Sequence, residues 1–68
     1  MESKNLYAIK EQLQHKIAGL RNKSFRVWQD NNKIKLQCCI IRGNRSMEFY
    51  GNIYEVIDIN KGILQVSN

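Results

Sequence analysis

Arg26 and Trp28 stand two residues apart in a run of β-forming residues, so in a strand they project from one face, opposite Phe25 and Val27. A guanidinium beside an indole on a solvated strand face is a platform on which an unpaired base can stack while the cation meets phosphate. The same pair has a second reading, in which Trp28 anchors the core and Arg26 covers its ring as a cation-π neighbour. Further cations lie along the chain: Lys33 and Lys35 beside one turn, and Arg42 and Arg45 on either side of Gly43-Asn44. Residues 1–15 carry no net charge, residues 16–45 carry +7 and residues 46–68 carry −2, so nearly all of the net +5 sits in the middle of the chain. Concentrating like charge in a folded domain is unfavourable by itself, and a polyanionic partner compensates for it. The bland counterpart is a basic face that only keeps the protein in solution.

Catalytic and metal chemistry find little support. His15 lies on the polar side of a helical pattern with no nucleophile or carboxylate pattern near it, and one His with two adjacent Cys residues cannot supply a zinc site within a single chain. Cys38 and Cys39 point to opposite faces of an extended strand, so they do not bridge each other readily. Neither is marked as an activated thiol. No cofactor is implied, and an enzyme is not expected. The Met-Glu-Ser-Lys start lacks an apolar signal core and no run approaches a membrane span, which points to a reduced, cytoplasmic setting.

These side chains must be held by few elements, because 68 residues make one small domain, spanning 1–68. Leu6, Ile9, Leu13, Ile17 and Leu20 recur at helical spacing, which predicts an amphipathic helix over 3–20 with Ser3 as N-cap and its end near Gly19. From residue 24 to 66 the pattern alternates as in strands. Asp30-Asn31-Asn32-Lys33, Gly43-Asn44-Arg45-Ser46 and Asn60-Lys61-Gly62 mark turns. The second strand sets Ile34, Leu36, Cys38 and Ile40 toward the core. The third, about Met47 to Ile59, contains Gly51, where a bulge or bend is expected. Ile63 to Val66 is the last strand.

The fold class is α+β: an N-terminal helix followed by a four- to five-stranded antiparallel meander, curled into a small Sm/SH3/OB-like barrel. The alternative is an open sheet with the helix across it. Ile40-Ile41-Arg42-Gly43-Asn44 resembles the hydrophobic-Arg-Gly signature of the second Sm motif, and the stretch Tyr50 to Leu64 resembles the first, the two standing in the reverse of the family's order. The segment ending Gly51-Asn52-Ile53-Tyr54-Glu55-Val56-Ile57-Asp58 is similar to the YolD-like group of Sm-like proteins. In that family these loops line a ring that binds single-stranded RNA, which would implicate Arg42, Gly43 and Asn60.

Two functions from different classes follow. One is a sequence-tolerant binder of RNA or DNA, single strands favoured, using Arg26, Trp28, Lys33, Lys35, Arg42 and Arg45. The other is a small regulator or inhibitor docking on a larger protein complex through an apolar patch of Cys39, Ile41, Tyr50 and Tyr54, a patch that a homo-oligomer would also bury.

Overall fold

The computed structural model describes the backbone of residues 2–67 and the side chains of residues 5–67. A helix, α1 (Glu2–Lys16), leads through a 3₁₀ turn (Ala18–Leu20) into four strands: β1 (Ser24–Asp30), β2 (Lys33–Ile41), β3 (Met47–Asp58) and β4 (Ile63–Val66). All neighbouring strands pair antiparallel in the order β1-β2-β3-β4.

The sheet is open, not closed into a barrel, because β1 and β4 lie at opposite edges with two strands between them. The helix removes the need for closure. Leu13, Leu20, Phe25 and Leu36 form the buried cluster, and Ile9, Ile17, Val27, Cys38, Tyr54, Val56 and Leu64 pack around it. The register agrees, since Phe25 pairs with Cys38, Val27 with Leu36, Leu36 with Tyr54, and Tyr54 with Val66. Paired residues share a face, so one sheet face packs on α1, and among the described residues the other meets the helix only at the β1 edge, where Lys10 and Gln14 line a hollow with Ser24, Arg26, Cys39 and Ile41.

The helix is shorter than its apolar stripe. Its last α-type bond runs from the Ile17 N–H to the Leu13 carbonyl at 2.9 Å. Ile17 itself is extended at φ −108° and ψ 107°, and Leu20 returns to the core in the 3₁₀ turn. A stripe at steps of three and four cannot distinguish one helix from a helix followed by a tighter turn that delivers its last apolar residue to the same core. Ser3 lies inside α1, and its side chain is outside the described residues.

The end of α1 lies beside the β3–β4 turn. Gly62 sits at φ +67°, and a Cβ there would lie 3.4 Å from Ile17 Cγ1 and 3.5 Å from the Lys16 carbonyl oxygen. The turn thus packs against the helix end; a Cβ would make only ordinary contacts there, so it is the positive φ that favours glycine. Gly62→Ala is expected to cost about 1–2 kcal/mol, mostly from the left-handed backbone. Urea unfolding should show this as a lowered midpoint with an unchanged slope; an unaltered midpoint would mean that the turn does not hold residue 62 in the left-handed conformation.

Gly51 is the bend expected of it. Its φ is +77°, and between Leu36 and Cys38 a single β2 residue, Gln37, faces the three β3 residues Gly51, Asn52 and Ile53. The Gln37 side-chain amide donates to the Gly51 carbonyl at 3.0 Å and so ties the bulge to β2. The third strand stays continuous, giving four strands.

Candidate nucleic-acid interface

Alternation on β1 puts Arg26 and Trp28 on the sheet face away from the helix, where their register partners on β2 are Gln37 and Lys35. Lys35 in turn pairs with Glu55 on β3. Trp28 is half-buried and is absent from the buried cluster, so it is not the core anchor. The cation-π contact found lies elsewhere, with Lys10 Nζ 5.6 Å from the centre of the Phe25 ring. Phe49, not singled out in the sequence, is 50% exposed and in register with Cys39, so it joins Trp28 on the outer face. From strand spacing and rise the two rings are roughly 16 Å apart, which suits two separate bases and not one sandwiched base. Its signal was available, since register from the Gly43–Ser46 turn sets Phe49 opposite Cys39.

The five cations among the six candidate residues do not form one cluster. Lys33 and Lys35 lie at the β1–β2 turn, whereas Arg42 and Arg45 lie at the β2–β3 turn, and the nine residues of β2 between them span roughly 30 Å. Arg42 Nη2 bonds Glu48 Oε1 at 2.6 Å, and Glu48 is in register with Ile40, on the helix side of the sheet. Arg42 is therefore turned away from Arg26 and Trp28. Lys35 Nζ contacts Asp30 Oδ2 at 3.0 Å, and Lys33 Nζ lies 3.8 Å from Glu55 Oε1. Such surface pairs are worth roughly 0–1 kcal/mol, so a phosphate can displace them at small cost.

Arg26 and Arg45 have no ion-pair partner among the described residues. Arg45 holds φ +70° at the tip of its turn, where Asn44 Oδ1 accepts from the Ser46 N–H at 3.1 Å and its hydroxyl at 2.7 Å. A non-glycine residue there costs of order 1 kcal/mol.

The apolar patch is rearranged. Cys39 is only 3% exposed, a small side chain recessed between Ser24 and Phe49 in register, so it offers no contact surface. Tyr54 packs against the core. Ile41 and Tyr50 remain exposed, on opposite sheet faces, and Ile40, expected in the core, is 46% exposed. The physical reason is the length of β2. The β1 pairing stops at Cys39 and the β4 pairing stops at Tyr54, so the hairpin beyond them extends as a two-stranded arm without a strand on either side.

Among the described residues no three His, Cys, Asp or Glu side chains gather as metal ligands, and no helix is long and apolar enough to cross a membrane. Both cysteines are free thiols. No protein-family model, curated protein or solved structure matches the chain.

Proposed function

We propose that this protein binds single-stranded nucleic acid with little sequence preference and performs no catalysis. The observation that carries this is the sheet face away from the core, on which Trp28 and Phe49 supply two stacking surfaces while Arg26, Lys33 and Lys35 supply cations. Stacking tolerates any base, and the cations track the backbone. Arg45 adds a free cation at the far turn, kept there at some backbone cost. Single strands are favoured because unpaired bases expose the ring faces that these aromatics need, and a reducing cytoplasm suits the two free thiols.

Fluorescence anisotropy with labelled single-stranded RNA, single-stranded DNA and duplex DNA tests the proposal. Binding is expected in the micromolar range or tighter, weakest for duplex, with a log-log salt slope of roughly −1.4 to −3.5 for two to five phosphate contacts. Absence of binding at low salt, or binding insensitive to salt, would overturn it. The protruding arm, with Ile40, Ile41, Phe49 and Tyr50 all exposed, favours a second reading, in which the protein docks on a larger protein complex or on its own copy. Strand-type preference separates the two, since protein docking predicts none.

A further inference from the structure

Two hollows adjoin at the outer edge of β1, where α1 passes over it. The first, about 200 Å³, is lined in part by Lys10, Gln14, Lys23, Ser24 and Arg26. The second, about 310 Å³, is lined by Leu6, Tyr7, Lys10, Arg26 and Val27. Lys10 and Arg26 form the wall common to both, and among the described residues no carboxylate lines either. Lys33, Lys35 and Arg42 each lie beside an acid, but Lys10, Lys23 and Arg26 have no ion-pair partner among the described residues. The Phe25 ring beneath Lys10 helps to hold that ammonium at the wall. Tyr7, 64% exposed, supplies an aromatic face at the rim of the second hollow. The volumes lie at or below the lower limit of sites that enclose a whole cofactor, roughly 300 Å³, and suit a phosphate with one stacked base.

We infer that the cleft between α1 and the β1 edge is a phosphate site, in which Lys10, Lys23 and Arg26 hold the phosphate and Tyr7 stacks the adjoining base. This rests on the nucleic-acid reading and extends it: Arg26 belongs both to the outer face and to the cleft, so a bound strand leaves the sheet across the β1 edge and ends on the helix. The phosphate could come from a strand backbone or from a free nucleotide.

The test uses Lys10→Gln/Lys23→Gln, which leaves Arg26, Trp28 and the outer face intact, with Lys10→Arg/Lys23→Arg as the charge-conserving control. On labelled single-stranded RNA the Gln variant should bind about 25-fold more weakly at about 0.1 M salt, with a slope shallower by about 1.4, because two phosphate contacts are lost. The Arg variant should bind like the parent. If the parent binds RNA and the Gln variant matches it in affinity and slope, the cleft is not a phosphate site, although the outer-face reading stands. Amide spectra titrated with uridine monophosphate and with inorganic phosphate identify the source. Shifts at Tyr7, Lys10 and Arg26 with the mononucleotide, in a protein that binds no oligonucleotide, would support the cleft and overturn the strand-binding function. Shifts at these residues only with the oligonucleotide would support a backbone phosphate.

Discussion

Leu13→Ala is expected to remove a large part of the protein's stability. Leu13 is fully buried at the centre of the cluster it forms with Leu20, Phe25 and Leu36. Cutting a buried leucine back to alanine costs about 2–5 kcal/mol, while a domain of this size holds only about 3–10 kcal/mol in total. The small core has few neighbours able to collapse into the gap. The melting temperature, followed by circular dichroism, should fall by at least about 10 °C. A loss under about 1 kcal/mol would mean that the helix contributes little to holding the sheet, contrary to the packing described. Because the helix also forms one wall of the basic cleft, the variant should lose cleft binding together with its fold.

Trp28→Ala should act in the opposite way, leaving the fold and weakening the binding. Trp28 is half-buried on the outer face and outside the buried cluster, so truncating it removes little core packing. If a base stacks on it, the loss is about 1–3 kcal/mol, or roughly 5- to 150-fold in affinity for single-stranded RNA. Trp28→Phe should retain most of the binding, since any aromatic face serves. Arg42→Ala/Arg45→Ala should have a smaller effect than Trp28→Ala, because Arg42 is tied to Glu48 on the other sheet face and both arginines lie at the far turn. A folded Trp28→Ala protein that binds RNA like the parent would remove the outer face from the function. A double arginine variant that loses more than Trp28→Ala would move the site to the β2–β3 turn.

The arm of Ile40, Ile41, Met47, Phe49 and Tyr50 shows how local pattern and tertiary context part company. Alternation assigns Ile40 to the face of Leu36 and Cys38, and the register confirms that face. Facing inward is not the same as being covered. The β1 pairing stops at Cys39, and nothing in strand periodicity states where a cover stops. Cys39 shows the converse, since its outer-face position predicts exposure but its small size beside Phe49 and Ser24 leaves it buried. Arg26 and Trp28 were legible as a pair because two-residue spacing fixes a shared face whatever the rest of the sheet does.

The sequence alone determined the element order, the turns at Asn31, Gly43–Ser46 and Gly62, the bend at Gly51 and the apolar face of the helix. Each of these depends on short-range backbone preference or on periodicity, both of which a few neighbouring residues specify. Only the tertiary structure decided that the sheet stays open, that Arg42 and Arg45 stand far from Arg26, that three of the cations are paired, and that Lys10 and Lys23 join Arg26 in one cleft. These depend on contacts between residues distant in the chain. Whether a sheet closes or is capped is settled by competition between edge pairing and helix packing for the same apolar surface, which no local pattern records.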